Sequence, residues 1–161
     1  MDLLKHLNGM TVDEIQQEGD RQVETVIEQM PLNKKIIVIK GDPNVGKTTA
    51  ARTLLNVLLY KGALLEYYKS IYRKTDTLEG DFIARVIYKK TKVAICSGGD
   101  KLTQVKDNIR SNAECDVIVV TSRNFSTFDK VFQKIKLEIC VLAKGTYSSL
   151  IKFVKRLERK I

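Results

Sequence analysis

Eight consecutive residues, Gly41-Asp42-Pro43-Asn44-Val45-Gly46-Lys47-Thr48, constrain this chain more than any other stretch. They fit the pattern G-x-x-x-x-G-K-S/T without a mismatch. Lys34 to Ile39, just before them, is a short β-branched run that reads as a buried strand. Ala50 to Tyr60, just after, is a helix apolar nearly all round, which should be covered on most sides. Lys61-Gly62 is its stop signal. Gly41 and Gly46 permit backbone angles that bring successive N–H groups to bear on one anion. A helix opening near Lys47 adds unpaired N–H groups and the positive end of its dipole. Lys47 supplies a point charge for the β- and γ-phosphates of a nucleotide. The Thr48 hydroxyl is an oxygen ligand of the kind Mg²⁺ prefers. Gly41, Asp42, Pro43, Asn44, Val45, Gly46, Lys47, Thr48 and Thr49 are therefore the expected phosphate-binding residues.

On these residues the chain resembles the P-loop NTPase superfamily. The likeness is specific over residues 41–48 and looser over residues 34–143. It implies a parallel-sheet α/β fold, a bound nucleoside triphosphate and Mg²⁺. Asp42-Pro43-Asn44-Val45 looks like the first box of translation-factor-type GTPases. No N-K-x-D box follows the loop, since Asn33-Lys34 precedes it. No D-x-x-G box lies between residues 49 and 143, and Asp76 and Gly80 are one residue too far apart. ATP is accordingly the expected nucleotide.

Members of that superfamily carry an acidic residue at the end of an apolar strand, where it holds the Mg²⁺ water shell. Val93-Ala94-Ile95-Cys96 is such a run, but Ser97 takes the expected place and Asp100 follows Gly98-Gly99. Ligands of open α/β sheets sit beyond the carboxyl ends of the strands. Asp100 is at that end and is a candidate for a metal-holding and catalytic role; the competing reading is an N-cap for the helix from Lys101. Asp116 is at the start of its strand, the wrong end. Arg123 follows the strand Val117 to Thr121 and is a candidate clamp on charge developing during phosphoryl transfer. The competing reading is a surface arginine or a partner of Asp129. Ser97, Thr121 and Ser122 share that rim and could bond phosphate or substrate. The order of Ser97 to Asp100, helix, strand, Ser122-Arg123 and Phe128-Asp129 is loosely similar to small uncharacterised P-loop proteins of bacteria and their phages.

The remaining elements follow from periodicity. Thr11 and Glu14 form a capping box before a helix that Pro31 closes, which makes residues 1–31 an N-terminal helical segment. Ala63 to Tyr68 reads as a second strand. Phe82 to Tyr88 and Lys92 to Cys96, around Lys89-Lys90-Thr91, read as an antiparallel hairpin. Leu102, Val105 and Ile109 are spaced as a helix, as are Phe128, Val131, Phe132 and Ile135. Leu137 to Ala143 is a further strand. A basic C-terminal helix over residues 146–161 carries Leu150, Val154, Leu157 and Ile161 on one face. The expected architecture is a single three-layer α/β domain over residues 1–161: a mostly parallel sheet with an antiparallel hairpin inserted between residues 82 and 96.

Composition narrows the function classes. Hydrophobic residues at 43% and charged residues at 29% exclude disordered and collagenous chains. No run approaches the roughly 20 apolar residues of a membrane span. The start, Met1-Asp2-Leu3-Leu4-Lys5, has no signal-peptide pattern. Cys96, Cys115 and Cys140 are odd in number and widely spaced, which argues against a disulfide framework or zinc cage. Cys96 and Cys140 read as buried thiols, and a reducing, cytoplasmic setting is expected. The net charge of +9 favours anionic partners. Lys152, Lys155, Arg156, Arg159 and Lys160 crowd the last helix, either as a solvated face or as a docking face for nucleic acid, a membrane or an acidic partner. Tyr67, Tyr68, Tyr72 and Tyr88 stand among lysines and arginines; packing under cationic stems is favoured over stacking on bases. The expected activity is an ATPase or a small kinase, with residues 67–92 as its acceptor side and Asp76, Glu79 and Asp81 as candidate bases. The alternative is a nucleotide-gated module that binds nucleic acid or a protein and turns over little.

Overall fold

The computed structural model describes residues 34–42, 45–71, 80–99, 101–123, 136–143 and 145–161, with Gly9, Thr11, Glu14 and Gln17. Strands β1 (Lys35–Lys40), β2 (Leu64–Ile71), β3 (Asp81–Tyr88), β4 (Thr91–Cys96), β5 (Val117–Ser122) and β6 (Lys136–Val141) alternate with helices α1 (Lys47–Tyr60), α2 (Leu102–Ser111) and α3 (Tyr147–Lys160). The strands make one sheet in the order β2-β3-β4-β5-β1-β6. β1 lies parallel to β5 and β6, and β4 parallel to β5. β3 runs antiparallel to both its neighbours, so it alone opposes the rest of this mixed sheet.

Ile36, Ile37, Val38 and Ile39 of β1 are all fully buried, because helices cover both faces of the strand. Alternation assigns each side chain to a layer. Ile37, Ile39, Val93 and Ile95 face Leu54 and Leu58 of α1 and Leu157 of α3. Ile36, Val38, Ala94 and Ile118 face Val105 and Ile109 of α2. The result is three layers, with α1 and α3 on one side of the sheet and α2 on the other. Phe153, Val154 and Leu157 anchor α3, each contributing about 1.5–3 kcal/mol by leaving water.

Helix ends match their local chemistry. Gly62, at φ 96°, turns the chain out of α1. The Gly62 N–H donates to the Leu59 carbonyl (3.1 Å) and the Ala63 N–H to that of Leu58 (2.9 Å), so the last carbonyls are satisfied. Thr146 caps α3, its hydroxyl accepting from the Ser149 N–H. The expected hairpin is present, but its turn is Lys89-Lys90 alone and Thr91 already belongs to β4. The strand expected over Ala63 to Tyr68 runs to Ile71 and lies at the sheet edge, with nearly every residue exposed. β6 stops at Val141 rather than Ala143. Cys96 and Cys115 are buried, whereas Cys140 is only half-buried because β6 is the other edge strand. Burial pushes the Cys96 thiol up to about 12, so it is an inert packing group. The expected helix around Phe128 to Ile135 lies outside the described residues, as does most of the N-terminal one. At its start the Glu14 N–H donates to Thr11 Oγ1 at 3.2 Å. No helix among the described residues is long and apolar enough to cross a membrane.

Candidate functional site

The glycine loop joins β1 to α1 at the carboxyl rim of the sheet. Its two glycines serve different ends. Gly46 stands at φ 100° and its carbonyl accepts from the Ala50 N–H, so it sets the left-handed entry into α1. Gly41 has no such angle, which corrects the expectation that both glycines are there for backbone freedom. A Cβ on Gly41 would lie 2.7 Å from the Leu142 carbonyl oxygen and 2.8 Å from Val45 Cγ2. Close approach, not conformation, requires that glycine. Pro43, Asn44 and Asp100 lie outside the described residues.

Lys47 is 9% exposed, and its ammonium donates to the carbonyls of Gly41 and Asp42, both at 2.8 Å. Those bonds hold the positive charge over the loop. Thr48, the next residue, donates its hydroxyl to Asp81 Oδ1 at 3.3 Å. Asp81 opens β3. Because β3 runs against its neighbours, its start lies at the rim where β1, β4 and β5 end. The carboxylate also lies against Gly98, where a Cβ would come within 3.3 Å of Asp81 Oδ2. Asp81 figures in the sequence only as a candidate base; its place beside Thr48 is a finding of the fold. The antiparallel pairing of the 82–96 hairpin is the signal that could have located it.

Neighbouring contacts fix Asp81. Arg52, one turn beyond Thr48, donates to the Gly80 carbonyl (3.0 Å) and to the Tyr68 hydroxyl (3.1 Å). Its guanidinium lies 4.7 Å from the centre of the Phe82 ring. Ser97 is fully buried; its N–H donates to the Phe82 carbonyl and its hydroxyl accepts from the Phe82 N–H, both at 2.9 Å. Ser97 thus clamps β3 to β4 rather than standing open to a ligand. The Ser122 hydroxyl likewise donates to the Arg123 carbonyl (2.9 Å).

Arg123 sits half-buried at the same rim, with its N–H donating to the Gly99 carbonyl at 3.3 Å. Gly99 is required by contact, since a Cβ there would fall 1.8 Å from the Thr121 carbonyl oxygen. The helix-capping position expected of Asp100 is taken by Lys101, whose N–H donates to Gln104 Oε1 (3.1 Å). Asp116 lies at the opposite rim, accepting from the Lys92 N–H at 2.9 Å. Among the described residues no three His, Cys, Asp or Glu side chains gather as a metal cage. Thr48 and Asp81 form a sparse oxygen set, which suits Mg²⁺ because that ion keeps several waters and takes phosphate oxygens.

Tyr67 and Tyr88 each lie under a cationic side chain, while Tyr72 is outside the described residues. The Arg85 guanidinium lies 4.6 Å from the Tyr67 ring centre, and the Lys89 ammonium 5.1 Å from that of Tyr88. Lys152, Lys155, Arg156 and Arg159 are exposed on α3, while Lys160 pairs with Glu138 of β6. No protein-family model, curated protein or solved structure matches this chain.

Proposed function

We propose that the chain is an ATP-binding protein of P-loop NTPase type that hydrolyses or transfers the γ-phosphate of Mg-ATP. The observation that carries this reading is the Thr48–Asp81 hydrogen bond. It brings a carboxylate to the hydroxyl that follows the loop lysine, at the mouth of a glycine loop opening a helix.

The residues divide the work as follows. The N–H groups of the first turn of α1 would donate to the phosphate chain. Lys47 exchanges its two carbonyl partners for phosphate oxygens, and the charge-assisted bonds so formed are the stronger ones. Thr48 Oγ1 and Asp81, already in hydrogen-bond contact, would hold the metal together with its waters. When bound, Mg²⁺ neutralises charge on the β- and γ-oxygens. Arg123 is the candidate clamp on charge developing at the γ-phosphoryl group, and Asp100 remains a candidate second carboxylate. The Arg52 bond to Gly80 keeps the start of β3, and hence Asp81, registered against α1.

The test follows γ-labelled phosphate with Mg²⁺ in wild-type, Lys47→Ala and Asp81→Asn proteins. Phosphate release or transfer that disappears in both variants supports the reading; absence of Mg-ATP binding in the wild type overturns it. The exposed basic stripe of α3 favours a second reading, a nucleotide-gated binder of nucleic acid or an acidic protein. Binding to DNA or RNA that weakens steeply with salt, and weakens further in Lys152→Gln/Arg156→Gln, would move that reading ahead.

A further inference from the structure

We infer that the chain carries a second ligand site, at the end of α1 remote from the glycine loop, for a small organic anion with an apolar body. A cavity of about 500 Å³ opens there between the last turn of α1, the β3–β4 turn and the outer half of α3. Along α1 the two sites stand about 20 Å apart, at 1.5 Å per residue, and the second does not rest on the phosphate reading. Its volume falls within the range of small-molecule sites.

The floor is apolar: Val57 of α1, and Ile151, Val154 and Ile161 from α3 and its end. One wall is a closed polar network. Glu158 pairs with Lys61 and accepts from the Tyr88 hydroxyl at 3.4 Å. The hydrogen bond from Lys61 holds the Glu158 carboxyl below the usual glutamate range, so that carboxylate stays ionised and the Lys61 charge is answered.

Two other cations of the cavity are not answered in that way. Lys155 and Arg159 are exposed, and neither has an ion-pair partner among the described residues. They stand four apart on α3, so they share a face. Lys89 joins them from the β3–β4 turn, held over the Tyr88 ring. Three positive charges from two elements thus ring an apolar floor. A neutral apolar ligand would leave Lys155 and Arg159 without partners, and an inorganic anion would leave the floor wet. A ligand with an apolar body and one acidic head satisfies both.

The experiment titrates the intact protein with 8-anilinonaphthalene-1-sulfonate and with N-phenyl-1-naphthylamine, the neutral relative without the sulfonate. The expected result is one saturable site that prefers the sulfonate by about tenfold or more. Lys155→Gln/Arg159→Gln should abolish that preference while leaving the weaker neutral binding in place. Both side chains are exposed, so this variant keeps the fold. Ile151→Asp should weaken both dyes, and is read only where its unfolding curve stays cooperative. Equal affinity for the two dyes, an unchanged preference in the double variant, or the absence of saturable binding would each overturn the site.

Discussion

The two ends of α1 are built by opposite means. At the loop end, main chains meet at van der Waals limits: Gly41 against Leu142 and Gly99 against Thr121 leave no room for a Cβ. At the far end nothing presses on Gly62 within 4 Å, and the Lys61–Glu158 pair links α1 to α3 across an apolar floor that includes Val57 and Val154. The loop end therefore tolerates almost no change of shape but places N–H groups and a buried ammonium accurately. The far end tolerates change, and its electrostatics can be altered residue by residue. Shape is thus set tightly by main-chain contact at one end and loosely by side chains at the other.

The sharpest way to break this comparison is a pair of glycine substitutions. Gly99→Ala forces backbone apart at the rim and should cost about 4 kcal/mol or more, read as a lost or uncooperative urea transition. Gly62→Ala meets only its positive φ and should cost about 1–2 kcal/mol. Equal losses would mean that the rim relaxes and the contrast is false. Next in size is Lys47→Ala, expected to weaken Mg-ATP binding about a hundredfold by calorimetry, while Lys155→Gln leaves it unchanged. A smaller gain is expected at the β3–β4 turn. Lys89 and Lys90 hold φ values of 48° and 64°, angles that suit Asn-Gly. Lys89→Asn/Lys90→Gly should stabilise the fold by about 0.5–1 kcal/mol in the same urea assay.

The smallest expected effect concerns pH. The folded Glu158 carboxyl lies below its ordinary value of 4.5, chiefly through Lys61. Its contribution is therefore complete above about pH 4.5 and fades as pH falls through the lower folded value. The stability difference between wild type and Glu158→Gln should stay level from neutral pH down to that point and shrink below it. A difference independent of pH would show that the Lys61 pairing contributes through packing alone.

What was legible in the sequence was local. The loop, the strand before it, the helix after it and the antiparallel hairpin are contiguous strings whose periodicity and turn residues agree. What was hidden depends on direction or convergence. The place of Asp81 beside Thr48 is not legible from strand ends, because this carboxylate enters the rim at the start of a reversed strand. Ser97 looked available for a ligand because its partner, Phe82, lies 15 residues away on another strand. Gly41 and Gly99 look like any turn glycines until a neighbouring main chain comes into contact. The basic cavity draws its charges from α3 and from a two-residue turn, which no single window of sequence unites.

The position of β1 has a consequence for the growing chain. Both of its sheet partners, β5 and β6, come late: Lys35 pairs with Val117, about 80 residues further on. At about 5–20 residues per second, the four-residue apolar stretch of β1 emerges roughly 4–16 seconds before its first partner exists. The β2–β3–β4 meander, by contrast, is contiguous and can close within microseconds of its own synthesis. During translation this protein is an antiparallel meander trailing a sticky, unpaired strand, and the hinge of its assembly is the moment β5 slides between β4 and β1.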